Sequence, residues 1–384
     1  MQSIEFPQPK ADKEAHSERM RLRAFLENEV RAGSFDPLMS SWTTFDRDFS
    51  RKLGAAGFIG VSLPCEFGGG GKSFSVRHAI MEELLAAGAP VGAHWMAERQ
   101  SAMQIVHYGS ASAKNELLPR IIAGTCYFGI GVSEPNAGSD LAAARTSARK
   151  VDGGWLLNGS KIWTTNGNKT DYLLVLARTS AKAEQRHEGF TQFIVDMQSP
   201  GVEVRPIYDL NNDAEFAEEV FINCFVPDDY VLGEIDKGWG VVLSELVFER
   251  SGPDRLLTSF QLLQALETRL SLSGNGHDAE SEIGRMIAHL ATLRRMSMGV
   301  SSLIEAKQPA SLQAALVKDL GAVFEREVPE LARDLVSVSL ARGATIDSFT
   351  NAVTQGIMRA PSWSIRGGAR EILRGMIARE LGLR

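Results

Sequence analysis

The chain has 384 residues, more than one simple hydrophobic core holds, so two or three domains are expected. A formal net charge of -6, with 44% hydrophobic and 23% charged residues, leaves no basic excess for a nucleic-acid backbone, and any anionic ligand has to be bound by a local arrangement. Cys65, Cys126 and Cys224 stand alone, which argues against a disulfide framework or paired-cysteine metal spacing, and the histidines, among them His94, His107 and His277, show no metal-ligand spacing; a reducing cytoplasm is the expected location.

The opening MQSIEFPQPKADKEAHSERM carries charges throughout and has no apolar leader core. No later run stays apolar for the ~18 residues a bilayer span takes, so no membrane span is expected. From about residue 14 to 125 apolar residues recur at helical spacing, as in FDRDFSRKLGAAGFIGVSL, and residues 1–125 are expected to form an N-terminal helical domain. Within it, SLPCEFGGGGKS ends like a phosphate loop in Gly71, Lys72 and Ser73. The first glycine of that pattern falls on Glu66, whose carboxylate would repel phosphate, so the match fails.

Between 126 and 232 the texture changes to short runs such as WLLNGSKIWTT, YLLVLART and GFTQFIVDM, with Asn-Gly pairs at turns. A middle β-barrel or sandwich is expected there. From 233 to 384 long periodic segments return, broken near SGNGH and KQPA, and predict a C-terminal helical bundle. The expected fold class is therefore α+β and multidomain. Near the end, WSIRGGAREILRGMIAREL places Gly367 and Gly368 just before a helix-spaced run; either the backbone angles of a turn or the close approach of another group can require them.

The most specific stretch is GIGVSEPNAGSDLAAARTSARKVDGGWLLNGSKIWTTNG, residues 129–167. It reads as a strand, then a turn of small polar residues whose N–H groups and hydroxyls can face an electron-rich ring or a phosphate, then a hairpin carrying Trp163, Thr164 and Thr165. This segment resembles the acyl-CoA dehydrogenase family, whose flavin-facing stretch runs Ser or Thr, Glu-Pro, a variable residue, Ala-Gly-Ser-Asp, and later a Trp-Ile-Thr-Asn-Gly hairpin. KLGAAGFIGVSLPCEFGGGG, VLGEIDKGWGVVLSELVFERSGPDR and REILRGMIARELGL extend the resemblance over nearly the whole chain.

The resemblance implies a helical domain, a β-barrel and a four-helix bundle, with FAD as cofactor and α,β-dehydrogenation of an acyl-CoA thioester. An electron-transfer flavoprotein or similar acceptor would take the electrons on. Carried over residue by residue, Ile130, Val132 and Ser133 would lie along the isoalloxazine ring, with Gly138 and Thr164 beside it. Trp163 would pack on the ring, Thr165 would donate at N5, where hydride arrives, and Ser139 would face the flavin or the CoA arm. Glu371 would contact FAD, and Leu246, Arg250, Gly367 and Gly368 would join Ser139 around the substrate.

Such chemistry needs a carboxylate to take the α-proton and a donor to polarise the thioester carbonyl. Many family members carry the base where this chain has Gly367, whose N–H still supplies the donor and whose missing side chain leaves room for a bulky or branched acyl group. A subset carries it on the first bundle helix just before an arginine, which here is Glu249 in FERSGPDR. Without the family, a solvated helix carboxylate paired with an arginine is the default for such a residue. Against that default, Pro253, four residues on, removes the N–H that would bond the Glu249 carbonyl, and in a continuous helix would kink it and aim Glu249 into a cleft. Glu245, one turn earlier, adds a like charge.

Two departures accompany these matches. LSLSGNGHDAESEIGRMIAHL lacks the family's Arg, Phe-Gly and Gln, and LARGATIDSFTNAVTQG lacks its Gln, two residues, Gly-Gly motif; both would clasp a neighbouring subunit's FAD. Ala369 also replaces a cofactor-holding threonine. These losses imply either a homo-oligomer with a weakened clasp or a heteromer with a related subunit. The competing functional readings are a non-catalytic or structural subunit and a flavin-dependent oxidase or monooxygenase on the same fold.

Overall fold

The computed structural model describes residues 4–9, 12–180, 185–273, 276–336 and 346–383. In chain order the elements are α1 Lys13–Arg31, α2 Arg47–Ala55, α3 Phe74–Ala86, α4 Ala102–Tyr108 and α5 Ala111–Ile122; then β1 Phe128–Gly131, β2 Ser147–Val151, β3 Gly154–Thr165, β4 Tyr172–Arg178, β5 Phe190–Asp196, β6 Val202–Ile207, β7 Phe216–Pro227 and β8 Val231–Leu232. They end with α6 Gly238–Ser251, α7 Phe260–Ser273, α8 Gly276–Glu305, α9 Ser311–Leu335, α10 Ser348–Trp363 and α11 Arg370–Glu380. The order helices, sheet, helices is that expected from the change in periodicity. The break expected at KQPA falls between α8 and α9, and parts of the SGNGH and LARGATIDSFTNAVTQG segments lie outside the described residues.

Helix starts follow local chemistry. Asp12, Asp46, Ser73, Ser110 and Asp347 each accept hydrogen bonds from first-turn N–H groups that have no partner inside the helix. The chain forms two compact units, each discontinuous in sequence: one of residues 1–42, 73–89 and 247–384, the other of 43–72 and 90–246.

The second unit holds the sheet, ordered β6-β7-β3-β2-β4-β5-β8, with β1 pairing parallel to β4 off that path. It is open, and this corrects the expected barrel. Closure needs the two outermost strands to pair at a common tilt and stagger. Here β8 has only two residues and β6, ending in Pro206 and Ile207, stays at the edge, where a residue without an N–H is tolerated. Both faces of β4 are covered. Leu173, Val175 and Ala177 join Trp155, Phe193, Phe221 and Val226 in one cluster, while Leu176 packs with Ala137, Ala144, Phe190 and Val242 in another.

The first unit is all helical. Buried Glu82 on α3 accepts from Arg19 of α1 at 2.7 Å and from Arg294 of α8 at 2.9 Å, tying three helices together. Val300, Leu303, Ala310, Ala314 and Val317 form an apolar cluster from α8 to α9.

Candidate active site

In the sheet unit the motif turn after β1 is organised by a carboxylate pointing inward. Glu134 accepts from the backbone N–H groups of Arg145 at 2.7 Å and Thr146 at 2.8 Å, and from the Lys161 ammonium at 2.8 Å. Lys161, whose side chain is 0% exposed, also donates to the Val132 carbonyl at 3.2 Å. Burial pushes the Glu134 carboxyl up, but the Lys161 charge and these hydrogen bonds outweigh it and hold the group below the usual carboxylate range. The motif's glutamate is thus consumed in fixing the turn, and Glu134 and Ala137 close it with reciprocal backbone bonds.

The residues left at the turn's surface beside β3 carry no charge. Val132 and Ser133 are half-buried, Gly138 and Ser139 are exposed, and a side chain at Gly138 would meet open space. Ile130 is half-buried in β1 opposite Leu174. The Ser133 carbonyl accepts from the Ile162 N–H at 3.0 Å, which pins the turn beside a bulge in β3. At that bulge Trp163 adopts φ 66°, a left-handed conformation that is strained for a bulky side chain, and its indole is 59% exposed, edge-on to Phe216.

Thr164 points the other way, into the core, donating to buried Glu219 at 2.7 Å; burial pushes the Glu219 carboxyl up to about 8. Thr165 is half-buried. Among the described residues, the hydroxyls of Ser133, Ser139 and Thr165 have no hydrogen-bond partner. An exposed indole beside uncommitted hydroxyls fits a planar ring with polar edges, as a flavin has. Thr164, committed to Glu219, fits a role in supporting that face rather than touching a ligand.

In the helical unit, α6 does not run on with a kink through Pro253 but stops at Ser251. Gly252 is extended at φ -66°, ψ 159°, and Pro253 begins a single 3-10 turn to Arg255. The Glu249 carbonyl, left without a helical donor, accepts from Arg255 Nε at 2.9 Å. Arg255 Nη2 lies 3.3 Å from Glu249 Oε1. The Glu249 side chain is 17% exposed: it is paired with an arginine, as the default reading has it, but mostly shielded from solvent.

The two glycines answer both requirements raised by the sequence. Gly367 has φ 68° and Gly368 φ 105°, and a Cβ on Gly367 would sit 3.2 Å from both Glu249 Oε1 and Arg255 Nη2. Arg250, buried, donates from Nε to the Gly367 carbonyl at 3.1 Å, and its Nη2 would be 3.4 Å from a Cβ on Gly368. Glu249, Arg250, Gly367 and Gly368 are therefore gathered at one place. Leu246 is half-buried on α6, and Glu245 is buried and accepts from Gln100 at 3.1 Å. Glu371 is exposed on the first turn of α11, whose N-cap residue Ala369 supplies no side-chain bond.

Sequence reasoning assigned no role to Arg255 or Lys161. The arginine was visible in FERSGPDR, but nothing in its spacing marks a guanidinium that returns to the helix end. Among the described residues no group of three or more His, Cys, Asp or Glu can hold a metal, and no helix is long and apolar enough to cross a membrane.

The order helices, sheet, helices, with an exposed indole beside hydroxyls on the sheet, fits an oxidoreductase that binds a flavin. Comparison with known proteins makes the assignment specific. Residues 12–125, 129–224 and 257–382 match the family models of the acyl-CoA dehydrogenase N-terminal, middle and C-terminal domains. The chain is 31% identical to acyl-CoA dehydrogenase IpdE1 of Mycolicibacterium smegmatis and 32% identical to that of Mycobacterium tuberculosis, covering 88% of each chain in both pairs. A solved structure described as Tcur3481-Tcur3483 steroid ACAD shares the fold at a TM-score of 0.83 and 23% identity, over 97% of this chain and 98% of that one. The chain belongs to the acyl-CoA dehydrogenase family.

Proposed function

We propose that this protein removes hydrogens from the carbons α and β to the carbonyl of an acyl-CoA thioester, with FAD as its cofactor and Glu249 as the base. The observation that carries the reading is the Glu249 carboxylate packed against Gly367, a residue that has no side chain where many family members have their base.

FAD, when bound, supplies the acceptor for the hydride from the β-carbon. Ile130, Val132, Ser133, Gly138, Trp163 and Thr165 would hold its ring, with Thr164 behind them and Glu371 as a further contact. Glu249 would take the α-proton on a carboxylate oxygen, and the Gly367 N–H would donate to the thioester oxygen, on which charge accumulates as the proton leaves. Arg250 fixes the Gly367 carbonyl, on the peptide that follows the donor. Ser139, Leu246 and Gly368 would border the acyl-CoA, and the room expected at 367 and 368 for a bulky or branched acyl group is bounded by Glu249, Arg255 and Arg250. An electron-transfer flavoprotein or similar acceptor would reoxidise the enzyme.

The missing Arg, Phe-Gly, Gln and Gly-Gly motifs favour a second element: an oligomer in which a related subunit supplies the FAD clasp. The solved ChsE4-ChsE5 complex from Mycobacterium tuberculosis, which shares the fold at a TM-score of 0.81, is an assembly of two differently named chains. Anaerobic mixing with a panel of acyl-CoA thioesters, followed by visible absorbance, tests the reaction. Bleaching by at least one member is expected, and a flavin-loaded assembly that no acyl-CoA bleaches would refute it. Flavin counting on the chain alone and after co-expression with related subunits tests the clasp: full FAD occupancy in a pure homo-oligomer contradicts the heteromer.

A further inference from the structure

Glu249 sits in a crowd of charges that the dehydrogenation chemistry does not by itself explain. Arg250 lies on its own helix, Asp254 and Arg255 on the turn that follows, Lys318 and Glu325 on α9, and Arg366 just before the glycine pair. Arg255 is 1% exposed, Lys318 1% and Glu325 1%. Arg255 is distinguished from the others by its geometry. One guanidinium reaches both the Glu249 backbone carbonyl, at 2.9 Å through Nε, and the Glu249 carboxylate, at 3.3 Å through Nη2.

We infer that Arg255 is a positioning residue for the reaction: its guanidinium clamps the carbonyl and the carboxylate of Glu249 together, fixing the base at the broken end of α6 and aiming it at Gly367. This rests on the reading of Glu249 as base. Three further observations support it. Pro253 removes the N–H that would have held the Glu249 carbonyl, so without Arg255 the last turn of α6 loses a bond at the very residue that has to be placed. The backbone of Arg255 is itself held, since a Cβ on Gly321 of α9 would meet its carbonyl at 2.1 Å, and Arg366 donates to the neighbouring Asp254 carbonyl at 2.9 Å. Gly367 gives the fork its space, because any side chain there meets Arg255 Nη2 and Glu249 Oε1 at once. A planar guanidinium makes two such bonds in fixed relative geometry; an ammonium makes one.

The test is anaerobic bleaching of the flavin-loaded protein over a series of acyl-CoA concentrations, which separates the limiting rate from the concentration that gives half of it. Arg255→Lys, which keeps the charge and loses the fork, is expected to leave flavin content and half-saturation near the parent and to slow the limiting rate about tenfold through loss of aim. Arg255→Gln, should the lysine variant not fold, is expected to slow the limiting rate at least as much with flavin retained. A parental limiting rate in either variant, with flavin in place, would overturn the inference, as would a loss confined to half-saturation. Glu249→Gln separates this from the functional reading: if it bleaches as the parent does, Glu249 is not the base, whatever the Arg255 variants show.

Discussion

Glu134→Gln tests whether the flavin-facing turn is held by the buried ion pair beneath it. The amide has the shape of the carboxylate but no charge, so the Lys161 ammonium, 0% exposed, loses its counter-charge and keeps only neutral acceptors, the amide oxygen and the Val132 carbonyl at 3.2 Å. Its NH2 group also replaces one oxygen, so it faces either the Arg145 N–H, now at 2.7 Å, or the Thr146 N–H and the Lys161 ammonium, now both at 2.8 Å, and leaves those donors without that acceptor. Removing one partner of a buried pair costs about 3–5 kcal/mol, which lowers the folding equilibrium constant by roughly two to four orders of magnitude. Urea unfolding followed by far-UV circular dichroism and by flavin release measures it. Flavin release is expected to precede loss of secondary structure, because the turn bearing Ser133 and Ser139 loosens first. The sign with pH is fixed by the depressed carboxyl: the stabilisation is present above the unfolded glutamate value of about 4.3 and is lost as pH falls through the folded value. The gap between parent and variant should therefore close in acid. A Glu134→Gln protein within about 0.5 kcal/mol of the parent at neutral pH would refute the reasoning.

Gly367→Ala forces a left-handed alanine, at about 1–2 kcal/mol, and presses a methyl against Glu249 and Arg255; flavin content should hold while anaerobic bleaching slows tenfold or more, and parental rates in stopped flow would count against it. Lys318 donates to the Trp363 carbonyl at 2.7 Å, and burial, with Arg255 and Arg366 nearby, pushes its ammonium down to about 7. The unfolded chain then binds the extra proton between about pH 7 and the ordinary lysine value of about 10.4, so stability should rise with pH over that window, by at most about 1.4 kcal/mol per pH unit, and Lys318→Met should remove the rise in urea titrations. Glu219 has the opposite sign: its carboxyl, pushed up to about 8 by burial, contributes stability below the ordinary glutamate value that is lost as pH rises toward 8. Glu219→Gln should flatten that loss, and a parental slope would show the group to be ionised in the fold.

The architecture was legible because its signals are local. Apolar residues at helical spacing mark the helices on both sides, short apolar runs mark the strands between, and Pro253 with Gly252 marks the end of α6; of the Asn-Gly pairs expected at turns, Asn166-Gly167 does follow the end of β3, while Asn158-Gly159 lies inside β3 at a register shift against β7. Openness of the sheet was not legible, since it depends on β8 being two residues long and on β6 remaining an edge, and neither property shows in alternation. The Trp163 bulge was hidden for a related reason: a one-residue register shift leaves GSKIWTTNG looking like a regular strand.

At the site, residue types were legible and their partners were not. Ser-Glu-Pro pointed to a turn that faces a ring, but the inward course of Glu134 to Lys161 requires β3 to return beside it. Glu249 could be chosen for its place before Arg250 and Pro253. That it touches Gly367, more than a hundred residues later in the chain, is a tertiary fact. Lys318, Glu325 and Arg366 stand apart in the sequence, and only the fold shows Lys318 and Glu325 buried on α9 and Arg366 donating to Glu325 at 2.7 Å.

The central claim is that deprotonation is performed from α6 by Glu249. Anaerobic single-turnover bleaching of the Glu249→Gln protein, with the acyl-CoA that reduces the parent fastest, tests it most directly. The account predicts full flavin content and a rate at least about a hundredfold lower, the span usual for removal of a general base. Bleaching at the parental rate, with flavin in place, would contradict it.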